Sequence, residues 1–307
     1  IFFSFLCVMF RAYYVGITQT KILTVNSIVM LLSNVALNYC LIFGKGGFPA
    51  AGIAGAAIAS SVSEAVSLLF FIIYTSMTAD KRKYGFRRAF TLRPHLLKGI
   101  LSISGWTMVQ SFISVSIWFI FFLAIEHLGE RPLAVTNIVR NISALLIMVI
   151  SAFATTAGAL ISNQIGAGEQ RCLFKTCGMT LKLTYAILIP LLIILCLFPE
   201  SVLRAFTDSP SLIAASVNSV YVMASSTLIM APSFILFNAV SGTGNTRAGF
   251  IMEMISLAVY TAVIYYGIIR LKPDVALCWF SEHVYGVTLI ILAWWYLKSG
   301  KWRGKKV

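Results

Sequence analysis

The chain has 307 residues, 59% of them hydrophobic and only 11% charged, with a net charge of +14 and a mean hydropathy of +0.89. A soluble domain carries about 25% charged residues, so this composition excludes a water-facing globular surface. The basic excess is divided among short stretches between apolar runs, which speaks against nucleic acid as a partner and is the pattern that orients membrane proteins.

Read for apolar runs bounded by polar or Gly/Pro clusters, the sequence predicts nine spanning helices near 1–17, 22–44, 52–77, 97–125, 132–164, 172–198, 212–240, 248–270 and 275–297. A hydrocarbon core of about 30 Å needs about 20 apolar residues in a helix. The strands of a membrane β-barrel would be about ten residues long and strictly alternating, which these runs are not. The expected class is an all-α polytopic membrane protein.

The first span opens IFFSFLCVMF, with no basic start and no small-residue cleavage site, so it is not a signal peptide. The second carries Asn34 and Asn38, four apart and hence on one helical face. Their carbonyl oxygens suit a hard cation such as Na⁺, but two neutral ligands are few without a carboxylate. Interhelical hydrogen bonding is the alternative. The third span holds a small-residue stripe, Gly52, Gly55 and Ala59, suited to close helix contact, and Glu64 near its middle.

The longest polar stretch follows, with Lys81, Arg82, Lys83, Arg87, Arg88, Arg93 and Lys98. The fifth span carries Arg140 beside Asn137 and Asn141; Arg140 is expected to pair with Glu126 or Glu282, the alternative being that it snorkels outward. Pro190 and Pro232 interrupt the sixth and seventh spans, each removing a backbone donor and permitting a kink. Glu253 lies five residues into the eighth span and is expected within reach of the interface, while Glu282 and His283 lie in the ninth. A carboxylate at mid-bilayer costs about 2.5–3.5 kcal/mol on insertion scales and faces a bundle interior or wet cavity. Glu64 and Glu282 are therefore read either as cation-responsive groups or as packing groups bonded to a neighbouring helix.

Placing 78–98 and the tail 298–307 in the cytoplasm puts 16 of the 24 basic residues inside, 5 outside and 3 (Arg11, Arg140, Lys182) within spans. That asymmetry sets the orientation. The six cysteines are scattered without a C-x-x-C pair, so neither a metal centre nor a disulfide framework is indicated. No P-loop, H-E-x-x-H or G-x-S-x-G occurs, which argues against an enzyme and for pumping driven by an ion gradient or by a separate subunit.

An internal repeat is visible. Gly16, Thr20 and Lys21 match Gly242, Thr246 and Arg247 at an offset of 226; Phe10 and Phe237 agree with a one-residue slip; Ser63-Glu64 echoes Ser281-Glu282 at 218. Spans one to three then correspond to seven to nine, and spans four to six lack a partner. Three further helices would precede Ile1 in an arrangement of two parallel six-helix halves. The expected organisation is 1–77 as half of a first lobe, 78–96 as a basic linker, 97–297 as a complete second lobe and 298–307 as a basic tail.

The runs RAYYVGITQTK, SNVALNYCLIFGKGGFPAAGIAGAAIAS, WFIFFLAIEHLGERPLAVTNIVRN, ISNQIGAGEQ and FNAVSGTGNTR resemble the multidrug and toxic compound extrusion (MATE) transporters over nearly the whole chain, from that family's fourth helix to its twelfth. The resemblance implies two six-helix lobes, alternating access, and Na⁺- or H⁺-driven antiport of drugs or other small organic compounds across the cytoplasmic (inner) membrane by a monomer. Membrane lipid is then a partner, no nucleic acid or cofactor is implied beyond the coupling ion, and antibiotic resistance is the expected phenotype. It also implies a first-lobe cation site using Asn34 and Asn38 with Ser60 or Ser61 as the hydroxyl; Asn38 departs from a position that is often acidic. Glu64, Glu282, Arg140 and Glu253 are the remaining coupling or cavity candidates. The alternative is a flippase for lipid-linked saccharides of a related two-lobe family, which calls for a more cationic cavity.

Overall fold

The computed structural model describes residues 2–78, 94–300 and 302, which form helices and turns without a strand among them. The chain divides into two compact units, Ile1–Arg93 and Pro94–Val307. Most of the basic stretch predicted as a linker lies outside the described residues, as does most of the basic tail.

The first unit is built from α1 (Phe2–Gly16), α2 (Lys21–Phe43) and α3 (Gly52–Thr78), with α1 and α2 both packed on α3 and barely touching each other. The reason lies in the sequence of α3. Its buried face falls at every fourth residue, Gly55, Ala59, Ser63, Ser67, Phe71 and Thr75, and starts with the smallest side chains. A Cβ built on Gly55 would stand 2.5 Å from the Leu41 carbonyl oxygen, so α2 approaches α3 to backbone contact there. Gly52 meets nothing and takes no part in the stripe.

The second unit contains α4 (Pro94–Glu126), α5 (Glu130–Gly166), a 3₁₀ turn (Gln170–Cys172) leading into α6 (Leu173–Leu197), the short α7 (Pro199–Leu203), and α8 (Pro210–Gly242). Then come α9 (Thr246–Val263), which runs on as a π-helical segment (Ile264–Arg270), the short α10 (Val275–Cys278) and α11 (Ser281–Ser299). Helix α8 is the hub, packing on α5, α6 and α11, and α9 bridges α11 and α4. The close crossing again needs glycine: a Cβ on Gly242 would stand 2.5 Å from the Gly158 carbonyl oxygen of α5.

Among the described residues, eight helical stretches are long and apolar enough to cross a membrane, and Phe2–Gly16 is apolar but shorter. The nine predicted spans agree in order and position. Two details differ. The last span is broken between Cys278 and Ser281, where the Ser281 hydroxyl donates to the Cys278 carbonyl at 2.8 Å and α10 has its own cap from Asp274. The eighth span changes from α to π winding after Val263, which hydrophobic periodicity does not reveal.

Pro232 leaves α8 helical, for an identifiable reason. The amide that proline lacks would have bonded the Leu228 carbonyl; the Tyr185 hydroxyl of α6 donates to that oxygen instead, at 2.7 Å.

The turn between α8 and α9 explains its own sequence. Gly244 takes φ of +78°, and Asn245 caps α9 by accepting from the Ala248 amide while donating to the Tyr296 hydroxyl at 2.6 Å. In the first unit, Thr18 takes φ of +60° at the position 226 residues earlier, so the repeat extends to the backbone of the turn.

Adding one methyl group should separate the close crossings from open helix surface. Gly242→Ala and Gly55→Ala are expected to destabilise by about 1–3 kcal/mol through backbone displacement, seen as lower unfolding midpoints in micelles. Gly178→Ala, with nothing within 4 Å of its added Cβ, is expected to leave the midpoint level or raise it.

Candidate functional site: two carboxyls in one cavity

Helices α4, α5, α8, α9 and α11 line an open cavity of about 610 Å³ in the second unit. Its wall is chiefly aromatic and aliphatic, with Trp118, Phe119 and Phe122 from α4 and Phe234 and Phe237 from α8. Ligand cavities commonly combine 300–1,000 Å³ of largely apolar space with a few placed polar groups, and this one has two carboxyls and a guanidinium.

Glu253 enters from α9 and is 4% exposed; Glu282 enters from α11 and is 8% exposed. The expectation that Glu253 reaches the interface is corrected: it is buried, with its Oε1 accepting from the Ser114 hydroxyl of α4 and the Tyr285 hydroxyl of α11, both at 2.9 Å. Its second oxygen is buried with no hydrogen-bond partner among the described residues. Glu282 Oε1 accepts from the Tyr260 hydroxyl of α9 at 2.7 Å. The two tyrosine rings meet edge to face, with centroids 5.8 Å apart. Each tyrosine thus leaves its own helix to hold a carboxyl on the other, and together they join two acids into one polar cluster. Ser114, Tyr260 and Tyr285 were not singled out by sequence reasoning. The signal that would have found them is spacing, since Tyr260 lies seven residues after Glu253 and Tyr285 three after Glu282, positions that share a helical face with each carboxyl.

Arg140 does not pair with Glu126 or Glu282. Its guanidinium lies over the Phe122 ring at 5.2 Å from the centroid, facing the cavity, with no ion pair among the described residues. A cation–π contact contributes about 0.5–1 kcal/mol at an exposed site, less than the ~2.5–3.5 kcal/mol cost of a basic group at mid-bilayer. The cavity side must therefore keep the guanidinium hydrated or give it an anion. His283 sits apart from this wall, bonded to the Ser225 hydroxyl at 2.9 Å and stacked on Phe280.

In the first unit, Asn34 and Asn38 do share a face, and their side chains bond to each other: Asn38 donates to Asn34 at 2.9 Å, and Asn34 donates to the Ser63 hydroxyl of α3 at 3.1 Å. The hydroxyl that meets Asn34 is thus that of Ser63, not of Ser60 or Ser61. Those two are exposed, and Ser61 bonds within its own helix to the Ala57 carbonyl. The reason is phase: Ser63 falls on the four-residue buried stripe of α3 and its neighbours do not. Glu64 is half-buried, and its carboxylate makes no hydrogen bond among the described residues. Deeper in the unit, Asn26 and Ser67 exchange two hydrogen bonds at 2.8 and 3.1 Å, both fully buried.

These polar pairs follow the repeat. Asn34 and Tyr260 are 226 residues apart, Ser67 and Tyr285 are 218 apart, and Asn26 and Glu253 differ by 227, the same slip as Phe10 and Phe237. In each unit the second helix of the repeat is tied to the third at two levels by these side chains.

The family model MatE matches residues 107–266. The probable multidrug resistance protein NorM of Thermotoga maritima is 26% identical over 291 residues, covering 89% of this chain and 59% of that protein. The uncharacterized transporter YisQ of Bacillus subtilis is 24% identical, covering 83% of this chain and 56% of its own length. The chain thus spans less than two thirds of these relatives. Among solved structures, an outward-facing multidrug resistance MATE family transporter superposes with a TM-score of 0.77 at 17% identity, covering 90% of this chain and 61% of that one. The MATE transporter ClbM, solved in complex with Rb⁺, gives 0.80 at 18% identity, covering 98% and 67%.

The Tyr260–Glu282 bond is open to a double-mutant cycle. Tyr260→Phe and Glu282→Gln are expected to couple by about 0.6–1.7 kcal/mol, from the average to the maximum measured for hydrogen bonds between membrane helices. Unfolding in bicelles would report it, and strictly additive effects would dissolve the pair as an energetic unit.

Proposed function

The chain belongs to the MatE family of membrane transporters, and on that footing we propose that it acts in cation-coupled antiport, exporting small organic compounds across the cytoplasmic membrane. The observation that carries this reading is the cavity itself, in which two buried carboxyls on neighbouring helices face an aromatic space of ligand size. A carboxyl is the group in this wall whose charge can change when a proton or metal cation is exchanged, and such acids inside a membrane mark ion paths by default.

Glu253 and Glu282 are assigned the coupling role. Loading a cation on either changes what its tyrosine partner bonds to, and since Tyr260 and Tyr285 each tie α9 to α11, the loading state acts on the contact between those helices. Asn34 and Asn38, with Ser63, are assigned a second cation-responsive site in the first unit. Support comes from the names of the relatives and from a solved neighbour of the same fold that carries Rb⁺. A saccharide-lipid flippase would meet pyrophosphate with several cations, and the cavity wall sets one arginine against two carboxyls. The charge distribution supports an orientation with 78–96 and 298–307 in the cytoplasm.

In proteoliposomes loaded with rhodamine 6G, Glu253→Gln and Glu282→Gln are expected to abolish efflux driven by an imposed pH or Na⁺ gradient. Asn34→Ala and Asn38→Ala are expected to weaken its ion dependence while leaving the protein folded. An unchanged pH and Na⁺ profile in all four variants would overturn the assignment. Cysteine labelling should place 78–96 and 298–307 on the cytoplasmic side and 45–50 outside; external access to 78–96 would reverse the orientation.

A further inference from the structure

We infer that Arg140 is the recognition point in this cavity for a carboxylate carried on an aromatic organic molecule. The inference rests on the export reading only for naming that molecule a substrate; the binding itself requires no transport.

Arg140 is the basic residue of the cavity wall, and its contacts leave it incomplete. One face of the guanidinium lies on Phe122, while its N–H edges have no ion pair and no hydrogen bond among the described residues. A guanidinium edge presents parallel donors that match the two oxygens of a carboxylate, and its stacked face fixes the direction of that edge. Stacking without edge partners is the arrangement expected of a group that waits for an anion.

The acids already in the cavity do not fill that role. Glu253 and Glu282 are buried, each with an oxygen taken by hydroxyl groups from neighbouring helices, and neither forms an ion pair with Arg140. Among the described residues, neither of these acids supplies the guanidinium edge with an anion.

What carries the anion is set by the wall beside it. Trp118 and Phe122 lie one helical turn apart on α4 with ring centroids 5.2 Å apart, and Phe119 lines the same space. An aryl group placed against this strip would extend from the guanidinium into the apolar body of the cavity. A small inorganic anion such as phosphate would leave that strip uncovered, so an aromatic acid is the better fit.

The test is equilibrium dialysis of 2-naphthoate and its neutral isostere 2-naphthamide against the full chain in phosphatidylcholine nanodiscs, which exclude anionic lipid as a competitor. The wild type is expected to bind the acid about 10- to 100-fold more tightly than the amide, the range for hydrogen bonds to a charged group. Arg140→Gln should erase that preference by weakening the acid alone, and Arg140→Lys should retain part of it. Equal binding of acid and amide by the wild type, absence of binding by either, or a preference that survives Arg140→Gln would each overturn the inference. Should Arg140→Gln fail to fold, the acid-to-amide ratios of the wild type and Arg140→Lys still decide it. A protein that binds 2-naphthoate through Arg140 yet shows no gradient-driven efflux would refute the transport reading and leave this one standing.

Discussion

Polar groups inside a bilayer must find one another, because lipid offers neither water nor a hydrophobic force to bring helices together. The fold of both units follows from that constraint. Helices meet where glycine, alanine and serine let backbones touch, at Gly55 against Leu41 and at Gly242 against Gly158. Once the backbones are close, side-chain amides, hydroxyls and carboxyls come within bonding distance across the same seams. Small residues set the spacing, and polar pairs choose the partner.

The repeat shows how one scaffold carries two chemistries. In the first unit the ties between α2 and α3 are neutral, Asn34 to Ser63 and Asn26 to Ser67. In the second unit the ties between α9 and α11 are Tyr285 to Glu253, at the positions of Ser67 and Asn26, and Tyr260 to Glu282, where Tyr260 matches Asn34 and Glu282 stands one residue past the match of Ser63. A neutral pair offers only amide and hydroxyl groups, whereas a carboxyl–phenol pair adds an ionisable acid. The same frame thus carries uncharged polar groups in one unit and acids in the other.

Helix number, order and class were legible in the sequence because each span is a long apolar run, and the signal is composition over many residues. The turn residues were legible as well, since Gly242, Gly244 and Asn245 have roles that few other residues perform. The site was legible only in part. Asn34, Asn38 and Glu282 stood out as polar residues in apolar runs, but Ser63 was passed over for its neighbours because hydroxyls look alike until the phase of the buried stripe is known. Tyr260 and Tyr285 were passed over because a tyrosine in a membrane helix is unremarkable by composition. Its importance arises only when another helix brings a carboxyl to its hydroxyl. The pairing expected for Arg140 failed on a matter that one-dimensional spacing cannot address, namely that its guanidinium lies over the Phe122 ring.

The phenol that stands in for the missing amide at Pro232 ties two helices into a single mechanical part. The Leu228 oxygen has Tyr185 of α6 as its donor, and a bare carbonyl in hydrocarbon costs several kcal/mol. A bend in α8 at its proline therefore cannot open alone, for α6 must travel with it or strand that oxygen. The proline supplies the joint, and the tyrosine decides which neighbour swings on it.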